Sequence, residues 1–416
     1  MSLDYKNLGQ SGVAGEGLEN YYVSVAGGPG GNSTTTAAYS TDGITWAEST
    51  MPVSARWTSV TYGEGKFIAA PYYSDNAFYS TDGITWTQAT IGLNFYLSAV
   101  GYGDGKFVAL SPAASTNAAY STDGITWIAT TKPVSYSNEW YSITYGNGKF
   151  LSVNQSNING QQLGFTLIST DGITWTESST NLPSDFVWIG EAAYGDGKFV
   201  TVATFSSTAA YSTDGITWTQ STMPTGSGWS SVTYGDGKFV AVAGSYTTAA
   251  YSTDGITWTQ STLPASDPWK SVTYGGDKFV TVAGGSGTST AAAYSTDGIT
   301  WTQSTLPATE NWFSVIHGEN LFKLSENNQY TVPSTKEAII SSIYIANNET
   351  TSQTYSVAVV PNGETLSNIH YIRKDISIDG NDFHTIGTKI TLAEGDQIIT
   401  EGTSLNVSVN IFGLEK

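Results

Sequence analysis

The side chains that most often carry out catalysis are scarce in this chain of 416 residues. It contains no Cys, three His (His317, His370 and His384) and two Arg (Arg56 and Arg373). The lack of Cys excludes disulfides, thiolate zinc sites and cysteine nucleophiles. His370 and His384 lie on separate predicted strands, where we expect solvated or packed roles. A Ser-His-Asp triad is therefore not expected, and the sequence has neither a phosphate-binding loop nor the His spacing of a metal site.

Carboxylates are the remaining groups that could perform chemistry. The chain has 35 acidic and 16 basic residues, which gives a net charge of −19. A glycoside hydrolase needs two carboxylates about 5–10 Å apart, and the sequence alone does not exclude such a pair. The negative charge disfavours binding to nucleic acid and to anionic membrane surfaces. We predict neither a membrane-spanning run nor a secretory signal, and expect a protein that is made in the cytoplasm and stays soluble.

One heptapeptide positions most of the Asp and Trp residues. The string Ser-Thr-Asp-Gly-Ile-Thr-Trp occurs seven times without variation, at intervals of 40 to 48 residues. Its seven aspartates are Asp42, Asp82, Asp123, Asp171, Asp214, Asp254 and Asp297. A second string, Tyr-Gly-x-Gly-Lys-Phe, lies between the copies, and it decays to His-Gly-Glu-Asn-Leu-Phe at His317. Repetition at about 40 residues is typical of propeller or solenoid architectures.

Each repeat reads as four short strands. In residues 229–261, an alternating segment is followed by a Gly-Asp-Gly turn, an apolar segment, a small-residue loop, and two strands joined by Asp254-Gly255. Asp-Gly is a strong hairpin signal, and no segment shows helical periodicity. Four strands in about 40 residues make one blade of a β-propeller.

The phase of the repeat predicts how the ring closes. Residues 21–26 match a second strand, and the first strand that they lack is found at residues 312–316. We therefore predict an all-β fold with a seven-bladed propeller, in which N- and C-terminal strands share one blade. Such closure removes the exposed edges of an open sheet.

The repeats vary on one side only. The turns between strands one and two and between strands three and four are nearly invariant, and they define what we call the turn face. The connections between strands two and three and between blades vary widely, as in residues 27–33, 71–75, 132–138 and 154–162, and they define the loop face. Variable loops on a rigid scaffold are where binding usually resides.

Aromatic residues at the starts of the first strands are the candidate ligand-binding residues of the loop face. Aromatic rings with nearby Asn, Gln and Ser suit sugar recognition, and the alternative is that these rings pack between blades. The candidates are Trp57, Tyr96, Trp140, Trp188, Trp229, Trp269 and Trp312.

The heptapeptide resembles the Asp-box of sialidase-like propellers, whose pattern is Ser-x-Asp-x-Gly-x-x-Trp. Ser40, Asp42, Gly43 and Trp46 occupy the matching positions of the first copy, although Asp and Gly are adjacent here. The resemblance implies a folding element at the turn between strands three and four. Physical reasoning agrees, since Asp can accept turn amides, Gly allows positive φ and Trp fills the wedge between blades. The alternative, calcium at these turns, has too few ligands with one carboxylate per turn.

A sialidase activity is not expected. Sialidases clamp the substrate carboxylate with three Arg, whereas the predicted propeller contains only Arg56. We therefore predict that the protein is not an enzyme, and we expect neither a cofactor nor a metal.

From Asn327 the sequence changes character, with more Ile and no Trp. Seven predicted strands over residues 327–416 indicate a compact β-sandwich. Residues 330–333, 336–343, 346–347, 355–361, 392–398 and 407–415 resemble a small β-domain at the ends of tailed-bacteriophage virion proteins, and Asp-Gly-Ile-Thr-Trp arrays are similar to those of phage structural and fibre proteins. The resemblance implies a component of a virus particle.

The sequence therefore predicts an N-terminal arm (1–20), a propeller (21–326) and a virion-attachment sandwich (327–416). The predicted function is that of a non-enzymatic bacteriophage virion protein, preferably of the tail or its fibres, which binds host-surface glycan or another virion protein. The expected partners are other virion proteins and host-envelope glycan, without nucleic acid or membrane insertion. A homo-oligomer is compatible with the sequence. The alternatives are a capsid decoration or head-fibre protein, and a glycoside hydrolase or free lectin of sialidase-like type.

Overall fold

The computed structural model describes residues 20–415 with internal gaps. The gaps are residues 29–30, 73, 92–95, 113–114, 134–139, 159–160, 181, 183–190, 205, 227, 245, 285–286, 320–328, 332–337, 348–351, 363–370, 379–382, 394–395 and 403–406. The predicted N-terminal arm lies outside the described residues, apart from Asn20. Among the described residues every regular element is a β-strand, and no helix that could cross a membrane is present.

The first 29 strands belong to the repeats. They are β1 (Asn20–Ala26), β2 (Thr34–Ser40), β3 (Ala47–Ala55), β4 (Trp57–Gly63), β5 (Lys66–Pro71), β6 (Phe78–Ser80), β7 (Thr87–Gln88), β8 (Thr90–Ile91), β9 (Ala99–Gly103), β10 (Lys106–Leu110), β11 (Asn117–Ser121), β12 (Thr126–Thr131), β13 (Thr144–Gly146), β14 (Lys149–Ile158) and β15 (Gln161–Ser169). They continue as β16 (Thr176–Thr180), β17 (Ala192–Gly195), β18 (Lys198–Val202), β19 (Thr208–Ser212), β20 (Thr219–Thr222), β21 (Trp229–Gly235), β22 (Lys238–Ala243), β23 (Thr248–Ser252), β24 (Thr259–Thr262), β25 (Trp269–Gly275), β26 (Lys278–Ala283), β27 (Ser289–Ser295), β28 (Thr302–Glu310) and β29 (Trp312–Glu319).

These strands form seven antiparallel blades, as predicted. Blades 1 to 6 are β4–β7, β9–β12, β13–β16, β17–β20, β21–β24 and β25–β28, and blade 7 has the order β29-β1-β2-β3. The two-residue strand β8 adds a fifth, parallel strand to the outer edge of blade 2. The first strands of neighbouring blades contact one another all around the ring, including β29 with β4. Seven four-stranded blades in a closed ring make a β-propeller.

Blade 7 closes the ring as the phase of the repeat predicts. β1 pairs antiparallel with β29, from Asn20 opposite Glu319 to Ala26 opposite Trp312. Two further hydrogen bonds join the chain ends at Gly27. The Gly27 N–H donates to the Asn311 carbonyl at 2.8 Å, and the Gly27 carbonyl accepts from Asn311 Nδ2 at 2.9 Å.

The hydrophobic core lies between the blades. One cluster joins Val200 and Val202 of blade 4 to Phe239, Ala241 and Trp258 of blade 5, all of them buried. The corresponding Phe of each blade from 1 to 6 is 0% exposed. Burying a side chain of this size contributes about 1.5–3 kcal/mol, so the interblade wedges hold the ring together.

The remaining strands form a separate unit. The chain divides into residues 20–320 and a unit that contains residues 321–416. The seven strands of the second unit are β30 (Gln329–Thr331), β31 (Ala338–Asn347), β32 (Gln353–Val360), β33 (Tyr371–Ile378), β34 (Phe383–Leu392), β35 (Gln397–Gly402) and β36 (Val407–Glu415). They make two sheets, with orders β30-β35-β32-β33 and β34-β31-β36. Their packing as a sandwich stays a prediction.

Candidate functional site

The seven heptapeptide turns are built alike and satisfy their own polar groups. In the copy around Asp254, the Oδ1 atom accepts the amides of Ile256 at 2.8 Å and Thr257 at 2.7 Å, and the hydroxyl of Ser252 at 2.8 Å. The Ser252 hydroxyl oxygen in turn accepts the amide of Gly255, whose φ is +72°. The same contacts recur at each of the seven aspartates. These contacts are those that physical reasoning from the sequence expects of a structural turn.

The electrostatics of these turns follow from the same contacts. Burial by itself would raise the pKa of Asp254, but the amides of Thr257 and Ile256 and the Ser252 hydroxyl outweigh it and hold the pKa at about 2. The Asp171 pKa is also about 2, chiefly because the Thr174 amide donates to the carboxylate. The carboxylates are thus committed to turn amides, and no cluster of three metal-ligating side chains is found among the described residues.

The turns between strands one and two, which also lie on the turn face, likewise pair their charged groups internally. Lys198 and Lys238 pair with the aspartates of their own hairpins at 3.0 Å and 2.9 Å. Those aspartates, Asp196 and Asp236, have positive φ, with Gly following in the turn. The hydroxyl of Tyr102 donates to Glu64 of the preceding blade at 2.5 Å. The turn face therefore carries many charges that already have partners within the fold.

The Trp residues predicted to line a binding rim on the loop face are buried. Five of them are between 0% and 1% exposed, namely Trp57, Trp140, Trp229, Trp269 and Trp312. Their indoles pack between blades, and the N–H of Trp269 donates to the Ala265 carbonyl at 3.1 Å. These five rings therefore offer no face to a ligand, and the prediction that they bind one is wrong. Tyr96 is 53% exposed and stays a candidate, whereas Trp188 lies outside the described residues.

At the start of the first strands of blades 1, 2 and 5, hydroxyl groups link neighbouring blades. Four residues before the repeat Tyr, the hydroxyl of Ser98 donates to the Trp140 carbonyl at 2.6 Å and that of Ser230 to the Trp269 carbonyl at 2.7 Å. Thr58 makes the equivalent bond to Ser98 at 3.2 Å. Each such bond contributes about 1 kcal/mol, so this position serves stability in blades 1, 2 and 5.

A second set of hydrogen bonds between blades lies one residue further along the first strands. There, a serine Oγ accepts an amide of the next blade at 3.0–3.4 Å. The serines are Ser59, Ser231, Ser271 and Ser314. Both sets of hydrogen bonds lie at the loop face, because the connections between blades enter the first strands there.

Four large side chains replace these small hydroxyl residues. Tyr141, Lys270 and Phe313 stand at the first position in blades 3, 6 and 7, and Glu191 stands at the second position in blade 4. All four are partly buried. Blades 3, 4, 6 and 7 thus hold larger side chains at the loop-face end of their inner strands. We call these four residues the mouth cluster.

Glu191 and Lys270 interact electrostatically across blade 5. Burial raises the pKa of Glu191, and Lys270 and the Ser231 hydroxyl oppose that shift. Burial lowers the pKa of Lys270, and Glu191 opposes that shift. Within the described part of the chain, no ion pair of 4.0 Å or less joins the two side chains. Burial therefore favours the neutral form of each group, and the charge of the other group favours its charged form.

Two members of the mouth cluster contact aromatic rings. Lys270 Nζ lies 4.3 Å from the centroid of the Phe313 ring, which is a cation–π contact. Tyr141 stacks on Tyr72 of blade 1, with ring centroids 6.5 Å apart and an interplanar angle of 27°. The mouth cluster thus combines a carboxyl group, an amine and apolar ring carbon, a mixture suited to binding a polar ligand that also has an apolar side.

The sequence analysis missed the mouth cluster. The signal was available, because aligning the repeats on the Tyr of Tyr-Gly shows Ser or Thr at the first position in three of seven blades and Ser at the second position in five. Glu191, Lys270 and Phe313 are each a residue type that occurs in only one blade at its position, whereas the Trp residues drew attention by their number.

No protein-family model and no curated protein matches this chain. Among solved structures, apo AztD from Citrobacter koseri is 6% identical with a TM-score of 0.49, and the alignment covers 72% of this chain and 98% of that one. Streptogramin B lyase is 12% identical with a TM-score of 0.48, covering 65% and 97%. A catalytically inactive virginiamycin B lyase from Staphylococcus aureus with quinupristin is 13% identical with a TM-score of 0.47, covering 60% and 84%. Identities and TM-scores this low carry no information about function.

Proposed function

We propose that this protein is a non-enzymatic virion component of a tailed bacteriophage, attached through its C-terminal unit, whose propeller binds host-surface glycan or another virion protein through the loop face. The observation that carries the binding role is the mouth cluster. Its four large side chains stand at positions where other blades carry small residues, several of which link neighbouring blades through their hydroxyl groups. The turn face, in contrast, carries groups that already have partners within the fold.

The virion part of the proposal is supported by the C-terminal resemblance. The matching segments within residues 330–415 resemble the terminal β-domain of phage virion proteins, and an all-strand unit fits that role. A location on the tail or its fibres is preferred, because a binding module is most useful where the particle meets its host. A capsid decoration or head-fibre location is the alternative for the same resemblance.

Antibody labelling of purified particles tests the virion role. Gold-tagged antibody against this protein should decorate intact phage at the tail or its fibres, and label over the capsid would favour decoration of the head. Particles without label, from a lysate that contains the protein, would refute the virion role and leave a free lectin or a hydrolase.

Binding to host cells tests the propeller separately. Purified full-length protein should sediment with host cells or with their extracted envelope polysaccharide. Retention on neither, combined with capture of another virion protein, would favour the assembly role over host attachment.

One observation favours the alternative function, that of a glycoside hydrolase. Glu191 is a partly buried carboxylate whose pKa is raised by burial, as a general acid requires. Its neighbours in the cluster are an ammonium and a hydroxyl, whereas glycoside hydrolysis needs a second carboxylate about 5–10 Å away. A reducing-sugar assay on host polysaccharide separates the two roles, since release of sugar by the wild type and none by Glu191→Gln would establish the hydrolase.

A further inference from the structure

Two exposed side chains lie next to each other on the loop face, between blades 1 and 2. Ser74, in the connection between β5 and β6, forms an isolated antiparallel bridge with Leu97, whose amide donates to the Ser74 carbonyl at 2.8 Å. Asp75 follows Ser74 and Tyr96 precedes Leu97, so the register of the bridge makes Asp75 and Tyr96 neighbours. Opposed residues of antiparallel strands have Cβ atoms about 5 Å apart. We call Tyr96 and Asp75 the acid–tyrosine pair.

The same bridge determines that both side chains point outward. Side chains alternate between the two sides of an extended chain. Leu97 is 0% exposed and packs between blades 1 and 2, whereas Tyr96 and Asp75 on either side of the bridge are exposed. Among the residues that the structure describes, the exposed aromatic ones are Tyr96 and Tyr246, and both lie on the loop face.

The Asp75 carboxylate is oriented by amide groups. Its Oδ1 atom accepts Asn76 Nδ2 at 2.8 Å, and Asn76 Oδ1 accepts Gln88 Nε2 at 2.5 Å. Since Gln88 belongs to β7, these bonds tie the carboxylate to the outer strand of blade 1. In the described part of the chain, no Lys, Arg or His nitrogen lies within 4.0 Å of the Asp75 carboxylate. Asp75 is therefore an exposed and oriented anion without an ion-pair partner among those residues.

An aromatic face beside a carboxylate favours a cationic ligand. The face of a ring attracts a cation through its quadrupole, and a carboxylate forms charge-assisted hydrogen bonds with it. The net charge of −19 attracts cationic groups from a distance. A neutral sugar would gain from the ring and from single hydroxyl contacts but not from this field, and an anionic group would be repelled.

The geometry of the pair favours Arg over Lys as the cation. A guanidinium group is planar, so it can stack on the Tyr96 ring and donate to the adjacent Asp75 carboxylate at the same time. An ammonium group is compact and more strongly hydrated. Tyr and Arg are also enriched among the residues that dominate binding between proteins.

Resting on the binding role proposed above, we infer that the acid–tyrosine pair binds an arginine side chain of a partner protein, which stacks on Tyr96 and donates hydrogen bonds to Asp75. At blades 1 and 2 the loop face is thus a contact for a basic protein segment rather than for a glycan.

The test uses the full-length protein and three capped peptides as probes. The peptides are acetyl-Gly-Arg-Gly-amide and the two analogues with Lys or Gln in the central position. Saturation-transfer NMR at low salt follows the peptides, and fluorine NMR of protein that carries fluorotyrosine follows the Tyr96 ring, whose signal is assigned by its loss in Tyr96→Phe. The Arg peptide should shift that signal and bind about fivefold or more tightly than the Gln peptide, with the Lys peptide between them.

Two variants test the two contacts separately. Asp75→Asn and Tyr96→Leu should each weaken binding of the Arg peptide about threefold or more. Asp104→Asn is the matched control, since it removes the same charge from an exposed Asp of the turn face, and it should bind the peptide like the wild type. Circular dichroism establishes that each variant is folded, and Asp75→Asn keeps the test decisive if Tyr96→Leu does not fold.

Equal affinity for the Arg and Gln peptides, or unchanged binding by both variants, would overturn the inference. Binding of a methyl glycoside that is lost in Tyr96→Leu would also overturn it, because the pair would then be a sugar site. Antibody labelling of particles separates this site from the proposed function. Labelled particles combined with no binding of the Arg peptide refute this site alone, whereas unlabelled particles refute the virion role whatever the peptides do.

Discussion

Replacing Ser252 by alanine isolates the contribution of one hydroxyl to one heptapeptide turn. The Ser252 side chain is 1% exposed, and its Oγ accepts the Gly255 amide at 2.8 Å and donates to Asp254 at 2.8 Å. Removing the hydroxyl leaves the Gly255 amide, which is buried, without this acceptor. Asp254 keeps the amides of Ile256 and Thr257, so the turn itself should persist.

The expected cost follows from those two bonds. A buried amide that loses its partner costs about 1–3 kcal/mol, and we take about 2 kcal/mol for this site because the Asp254 carboxylate retains other donors. A unit of about 300 residues, such as residues 20–320, unfolds with an entropy of about 0.6 kcal/mol/K. Ser252→Ala should therefore lower the Tm of the propeller by about 3 °C.

Thermal unfolding followed by Trp fluorescence measures this shift. Thr253→Ala is the control, because Thr253 is the adjacent, exposed hydroxyl residue of the same turn. NMR titration gives a second readout, since the pKa of Asp254 should rise from about 2 when the Ser252 hydroxyl no longer stabilises its carboxylate. If Ser252→Ala lowers the Tm no more than Thr253→Ala does, the hydroxyl is not a structural part of the turn.

Two further predictions concern the inner strands. In thermal unfolding, Gly235→Ala should lower the Tm of the propeller by at least about 2 °C more than Gly237→Ala does. A Cβ on Gly235 would lie 2.0 Å from the Tyr274 ring, whereas the space around Gly237 is open and its substitution costs only about 1 kcal/mol of backbone strain. Equal Tm shifts would refute the tight contact between Gly235 and the ring. Burial, with a smaller effect of Lys278, lowers the pKa of His317 from 6.5 to about 4. Since the unfolded chain binds a proton below pH 6.5 and folded His317 does not until about pH 4, the propeller should lose about 3 kcal/mol over that range. His317→Tyr, the residue of the other blades, should abolish that part of the loss in denaturation curves recorded from pH 7 to 4, and an unchanged pH dependence would contradict it.

The blade count and ring closure were predictable because they depend on local signals that recur. Asp-Gly followed by Thr-Trp marks the same turn in every repeat, and the phase of residues 21–26 leaves one strand to be supplied from the far end. After residue 327 the described residues form seven strands, the number that the sequence predicts.

The role of the Trp residues at the starts of the first strands could not be predicted in the same way. A large ring at the start of an inner strand can point into the wedge between blades or out to solvent, and the residue type is the same in both cases. The structure places Trp229 and Trp269 in the wedge, where volume must be filled between neighbouring β-sheets. Their presence in most blades is itself what a packing role requires.

The mouth cluster illustrates the opposite case. Glu191 and Lys270 are separated by 79 positions in the sequence, and nothing local relates them. Their electrostatic interaction exists because the ring brings blades 4 and 6 to either side of blade 5. Only the closed ring, rather than any single repeat, defines that juxtaposition.

The pairing of β1 with β29 has a consequence for synthesis on the ribosome. The partner of Asn20 is Glu319, so the blade made first cannot be completed until almost the whole propeller has been translated. At about 5–20 residues per second, β1 waits roughly 15–60 s for the strand that covers its open edge. During that interval β1 presents unpaired N–H and C=O groups and apolar Val23 and Val25, both of which are fully buried in the finished ring. Nascent chains halted before residue 312 should therefore be the species most prone to aggregate or to recruit chaperones.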